Sequence, residues 1–167
     1  MKHGTIEELN TLGKGDFVDL LGDVYEESAW VAEQTYSEQP FVSVQTLTNT
    51  MQEIVNNAPH DAQLELLRAH PDLGEQTEMT DASEAEQASA GLDSLSETQY
   101  DAFQRLNDQY REKFGFPFIM AIKNESPDAI QTAMEQRVKH RRDQEFETAL
   151  DQVHQIAKLR LQEIFSM

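Results

Sequence analysis

Gly115-Phe116-Pro117-Phe118-Ile119-Met120-Ala121-Ile122 is the stretch that decides the fold class, because it reads most like a β-strand. It is apolar and too short for a helix, which leaves a buried extended segment or a loop under the core. A strand must pair to satisfy its backbone, and no second strand-like run occurs elsewhere in the chain. The expectation is therefore all-α: a single domain over residues 1–167, built as a helical bundle of about seven to nine helices.

Helix signals flank the segment on both sides. Upstream, Ser96 opens a helix through Phe103, Leu106, Tyr110 and Phe114. Downstream, Ser126-Pro127 is a cap followed by proline at the first helical position, starting a helix to about His140, and a last helix runs from near Asp143 to Phe165. Toward the N-terminus, Thr5 precedes a short helix over Ile6–Leu9, and a helical region covers Lys14 to Tyr36 with a break near Gly22. Ser43 caps a helix whose Val44, Leu47, Met51, Ile54 and Val55 recur at three- and four-residue intervals. A short helix from about His60 stops at Ala69, because Pro71 pushes His70 out of the α region. Residues 72–80 read as a polar loop, and a helix follows from about Asp81 to Ala90.

The 167 residues are enough for one packed core. Against 13 Lys and Arg stand 31 Asp and Glu, a formal charge of −18. Nucleic acid is excluded as a partner because a phosphate backbone needs a basic stripe; the densest basic run, Lys139-His140-Arg141-Arg142, gives way at once to acids. Anionic membrane surfaces are disfavoured for the same reason. Such an acidic surface suits a high-salt cytoplasm, where dense counterions screen self-repulsion. With no Cys there is no disulfide, thiol nucleophile or thiolate metal site. Met1-Lys2-His3-Gly4-Thr5 leads into an acidic helix without an apolar leader, and Phe165-Ser166-Met167 is not a peroxisomal address, so the expected location is the cytoplasm.

Three features stand out against this background. The last helix carries Ala149, Leu150, Val153, Ile156, Ala157 and Ile164 on one stripe, and Arg160 falls on the same stripe. A guanidinium there snorkels to the rim, joins a structural ion pair or binds an anionic ligand. Ser83, Glu86 and Gln87 share one helical face, although Ser-x-x-Glu is also a capping box and the pattern alone favours the cap; Thr80 or Asp81 could cap instead. His70, outside helical geometry beside Pro71, is expected to be the semi-buried imidazole that titrates near neutrality, since His3, His60 and His140 lie at a terminus, a helix start and a charged stretch. A lone histidine on an apolar face is more often structural. No His pair has metal-ligand spacing, so no metal is expected.

Taken together, Arg68-Ala69-His70-Pro71-Asp72-Leu73, Ser83-x-x-Glu86-Gln87 with Ala90-Gly91-Leu92, Leu106-Asn107-x-x-Tyr110-x-x-Lys113-Phe114-Gly115-Phe116-Pro117-Phe118-Ile119, and Ile156-Ala157-x-x-Arg160-Leu161 resemble the 2-oxo-4-hydroxy-4-carboxy-5-ureidoimidazoline (OHCU) decarboxylase family. The resemblance extends over essentially the whole chain, including Phe17 and Ser28-Ala29-Trp30-Val31-Ala32-Glu33. It implies an all-helical homodimer and a carboxy-lyase of urate degradation, functionally linked to the upstream urate-pathway enzymes, that forms (S)-allantoin from OHCU without cofactor. It also implies roles: His70 as the catalytic histidine with Glu86 as its acidic companion, and Ser83, Gln87 and Arg160 as substrate-binding groups. Phe118, Ile119, Met120, Ala121 and Ile122 would line the pocket largely through their backbone, and Pro71 would border the histidine. The loop after His70 is shorter than is usual in the family, and Gly74 stands where an Ala-Gly pair is common.

That chemistry suits a chain without Cys or metal motifs, because the substrate's own ring delocalises the electrons left by CO₂. His70 would take the hydroxyl proton or protonate the ring carbon, and Glu86 would orient the imidazole or bind the ureido group. Two other readings compete. In one, the chain is a non-catalytic helical interaction protein with Arg160 and Glu86 as a structural pair; in the other it is a metal-assisted hydrolase using His70, Glu86 and Asp72.

Overall fold

The computed structural model describes residues 4–75 and 79–165. Part of the 72–80 loop and the residues at either extremity, Met1–His3 and Ser166–Met167, therefore lie outside the described residues. Nine α-helices and no strand occur among them: α1 Ile6–Leu9, α2 Lys14–Leu21, α3 Ala29–Tyr36, α4 Val44–Asn56, α5 His60–Arg68, α6 Asp81–Ser89, α7 Glu97–Phe114, α8 Pro127–Arg137 and α9 Arg142–Ile164. The all-α expectation is met.

The expected caps are in place. Thr5, Ser43, Ser96 and Ser126 each accept a hydrogen bond from a backbone N–H of the helix they open. Helix α8 ends at Arg137, earlier than the expected His140, because the N–H groups of Lys139 and His140 bond carbonyls three residues back and tighten the chain into a turn.

The chain divides into two compact units, Met1–Ala69 with His154–Met167, and His70–Val153. In the first, α2 packs on α3 and α3 on α4, with Phe17, Leu21, Val31, Leu47, Met51 and Val55 buried. Phe17 meets Tyr36 edge-on at 5.4 Å and stacks on Phe41 at 6.5 Å. Buried residues of the α9 portion in this unit are His154, Ile156, Ala157, Arg160, Leu161 and Ile164. Leu150, expected on the buried stripe, is only half-buried.

The second unit gathers α6, α7, α8 and the start of α9 around Phe103, Leu106, Phe114, Ile130 and Met134. Gly115 ends α7 in the left-handed region (φ 81°), where a residue without Cβ is unstrained. Pro117 then biases Phe116 toward extended backbone, so the helix cannot resume. Residues 117–122 form no regular element, yet Phe116, Phe118, Ile119 and Ile122 are buried. Tyr110 on α7 meets Phe116 at 5.9 Å and Phe118 at 5.5 Å, both edge to face. The strand-like stretch is thus an irregular, mostly buried segment fastened by aromatic packing.

Candidate active site

His70 follows the C-cap of α5 and is buried, more deeply than expected. Past Pro71, side chains hold Asp72, Leu73 and Gly74. Asp72 forms an ion pair with Arg111, and its carbonyl accepts from Gln87 Nε2 at 3.2 Å. The Leu73 carbonyl accepts from Asn107 Nδ2 at 2.9 Å, and the Gly74 N–H donates to Gln87 Oε1 at 3.1 Å. Gly74 has φ of 80°, where a side chain is strained, and a Cβ there would crowd Leu95 Cδ1 at 3.0 Å and Phe103 Cδ2 at 3.1 Å. Burial, followed by repulsion from Asp72, pushes the carboxyl of Glu75 above the usual range.

Helix α6 supplies the polar face. Thr80 is its N-cap and accepts from the Ser83 N–H at 3.2 Å, so Ser83 stands in the third helical position and the capping-box reading fails. Ser83 and Gln87 are buried and Glu86 is half-buried. Gln87 uses its oxygen on Gly74 and one amide hydrogen on Asp72, which leaves a second hydrogen on Nε2.

The segment 118–122 is tied by side chains. The Ile119 carbonyl accepts from Arg137 Nη1 at 2.6 Å, and the Ala121 N–H donates to Gln152 Oε1 at 2.9 Å. Asn107 and Arg111 hold the turn after His70 while Tyr110 packs on Phe118, so one turn of α7 serves both parts.

Arg160 belongs to the first unit. It is 2% exposed and donates from Nη1 to Glu26 Oε1 at 3.1 Å and to the Asp23 carbonyl at 2.8 Å. Of the readings left open by spacing, snorkelling is therefore ruled out: the group is buried with a carboxylate. His154, which the reading of the histidines passed over, is also buried, between the Tyr25 hydroxyl at 2.8 Å and Asn56 Oδ1 at 2.9 Å. Burial drives the Tyr25 hydroxyl well above its usual value. An open cavity of about 620 Å³ in the first unit, bordered by Trp30, Glu53 and Asn57, contains none of the predicted site residues.

Sequence reading also missed a buried cluster in the second unit. Arg137 Nε donates to Glu145 Oε1 at 2.9 Å, the Tyr110 hydroxyl donates to the same oxygen at 2.6 Å, and Glu145 Oε2 meets His140 Nδ1 at 2.8 Å. Burial, then the bond to Glu145, pushes the Tyr110 hydroxyl far up. The signal that singled out Arg160 was present here too, since Arg137 continues the stripe of Ile130 and Met134. Among the described residues no group of three or more His, Asp or Glu gathers as a metal site.

A family model described as OHCU decarboxylase matches residues 10–162. The 2-oxo-4-hydroxy-4-carboxy-5-ureidoimidazoline decarboxylase of Haloferax volcanii is 61% identical over 162 residues, covering 97% of this chain and 96% of that one. A crystal structure of (S)-allantoin synthase superposes with a TM-score of 0.80 at 34% identity, covering 97% of this chain and 54% of its own. One of OHCU decarboxylase in the presence of (S)-allantoin gives 0.73 at 25% identity, covering 93% and 100%. With the ordered motifs, the all-α fold and a match over nearly its whole length, this chain belongs to the OHCU decarboxylase family.

Proposed function

We propose that the protein is a carboxy-lyase that decarboxylates OHCU stereoselectively to (S)-allantoin in urate degradation, without metal or organic cofactor. The observation that carries this reading, beside the family match, is a buried imidazole followed by a turn whose three residues are each fixed by side chains. Rigid placement of one acid/base group is what this reaction demands.

The bond from the hydroxyl-bearing ring carbon to the carboxylate breaks and CO₂ leaves; the electron pair forms a C=C bond to the ureido-bearing carbon, and the C=N π pair moves onto the ring nitrogen, which takes up a proton, to give an enol. The enol becomes a carbonyl as its hydroxyl loses a proton, and a proton is added to one face of the ureido-bearing carbon. The sum is one proton taken up and one CO₂ released. His70 is assigned as the general acid/base that accepts the hydroxyl proton and returns one to carbon, with Glu86 as its acidic companion. Pro71 borders the imidazole. Ser83 and the remaining Nε2 hydrogen of Gln87 are assigned to polar edges of the substrate, and the backbone of Phe118, Ile119, Met120, Ala121 and Ile122 to its ring. Ala121 enters through its carbonyl, because Gln152 holds its N–H. Arg160 is assigned to an anionic or carbonyl edge, on its charge and burial.

The same reading takes residues 1–167 as one domain, acting as a homodimer in the cytoplasm and supplied by the upstream urate-pathway enzymes. No helix among the described residues is long and apolar enough to cross a membrane. The test is to generate OHCU from urate with those enzymes and follow its decay and the circular dichroism of the product. Accelerated decay to optically active allantoin, unchanged by EDTA, is expected. Racemic product at the spontaneous rate overturns the assignment, and activity lost to EDTA and restored by Zn²⁺ or Mn²⁺ favours the hydrolase.

A further inference from the structure

Arg137 and Glu145 are buried charges of the second unit that the reaction scheme leaves unused. Arg137 closes α8 at 9% exposure, and Glu145, in the first turn of α9, is fully buried. The three guanidinium nitrogens reach three different acceptors. Nε donates to Glu145 Oε1 at 2.9 Å, Nη1 to the Ile119 carbonyl at 2.6 Å and Nη2 to the Tyr110 hydroxyl at 3.4 Å. The guanidinium carbon also lies 4.4 Å from the centroid of the Phe118 ring, within cation–π range.

A buried ion pair is a poor source of stability, because apolar residues of similar volume often do as well or better. What an apolar pair cannot do is grip a backbone carbonyl. That matters at 117–122, which has neither helix nor sheet ladder to set its course. Two side chains do so instead: Arg137 at the Ile119 carbonyl and Gln152 at the Ala121 N–H. Glu145 fixes the guanidinium from the other side, with the Tyr110 hydroxyl and His140 Nδ1 also on its carboxylate.

We propose that Arg137 is a positioning residue for the decarboxylation: held by Glu145, it sets the backbone of 118–122 and thereby the pose in which that segment receives the substrate. The proposal rests on the reading above that 118–122 line the site. Arginine is required because a planar fork serves three acceptors at once, whereas an ammonium is a point charge on a flexible stem.

The experiment compares wild type with Arg137→Lys and with the double variant Arg137→Met/Glu145→Met, which removes both charges together so that neither is stranded. Thermal stability, kcat, KM, the optical purity of the allantoin formed and the amide NMR spectrum during titration with (S)-allantoin are measured on each. Arg137→Lys should stay folded while kcat falls about 10–100-fold, the scale of a misplacement of about 1 Å, and the product loses optical purity. The double variant should melt at or above the wild-type temperature with the same catalytic losses. Either variant folded with wild-type kcat and optical purity overturns the proposal, as does a lowered melting temperature with normal turnover and purity in the folded fraction. Amides of 118–122 that respond to (S)-allantoin in wild type and identically in Arg137→Lys overturn the role of Arg137 alone. Amides that stay silent in wild type overturn the segment's place in the site, and the proposal with it.

Discussion

His70 lies past the C-cap of α5, outside the helix itself. His70→Asn should keep the fold and lower turnover about 10²–10⁴-fold, the span of a positioned acid/base. Steady-state kinetics beside a thermal melt checks this, and a near-normal rate removes His70 from the mechanism. Arg160 behaves differently because it is buried with Glu26. Arg160→Leu suits the apolar stripe but deprives a buried carboxylate of its partner, and should destabilise by about 3–5 kcal/mol. Adding Glu26→Leu should restore most of that loss. Denaturant melts of the single and double variants decide it; a double variant no more stable than the single defeats the ion-pair account. If Arg160 also holds substrate, the restored double variant stays inactive.

At the scale of the element, α6 separates two jobs that one motif had merged. The cap is Thr80, so Thr80→Ala should lose about 1 kcal/mol with KM preserved, whereas Ser83→Ala leaves the cap in place and acts on KM. Equal effects of the two on stability and on KM would restore the capping reading of Ser83. Helix α7 shows why the rest of the site was hard to read. Asn107 and Tyr110 lie on its buried stripe and stood in the motif that carried the resemblance, yet their partners are 34 and 35 residues away, in the turn after His70 and at Glu145. Spacing along one helix reports which side chains share a face, not what lies opposite that face.

At the scale of the whole molecule, a charge of −18 repels itself at distances that salt controls. The screening length is about 10 Å at 0.1 M salt and about 3 Å at 1 M, so the melting temperature should climb over that range and flatten beyond it. Melts in KCl, with sucrose as uncharged control, check the origin; an equal gain in sucrose points away from charge. The buried tyrosines, Tyr25 in the first unit and Tyr110 in the second, set an alkaline limit. Each keeps its proton in the folded state to higher pH than in the unfolded chain, where tyrosine titrates near about 10. Below that pH both states hold the proton and stability is unaffected. Above it the unfolded chain binds fewer protons, so stability falls by about 1.4 kcal/mol per pH unit for each. Tyr25→Phe and Tyr110→Phe should each remove one share of the slope in denaturant melts between pH 9 and 11.

The sequence by itself determined several helix ends, because caps and glycines act on their immediate neighbours: Ser43, Ser96, Ser126 and Gly115 do in the structure what their chemistry dictates. It also determined the all-α class, since one apolar segment without a partner cannot make a sheet, and the ordered motifs identified the family. Only the tertiary structure decided which acid meets Arg160, that Thr80 and not Ser83 caps α6, and that a second buried arginine bonds the Ile119 carbonyl. These outcomes depend on contacts between residues up to 134 positions apart. A carboxylate, a hydroxyl and a carbonyl are interchangeable acceptors in a sequence, and become distinct only when packing brings one of them within about 3 Å of a donor and keeps water away from the others.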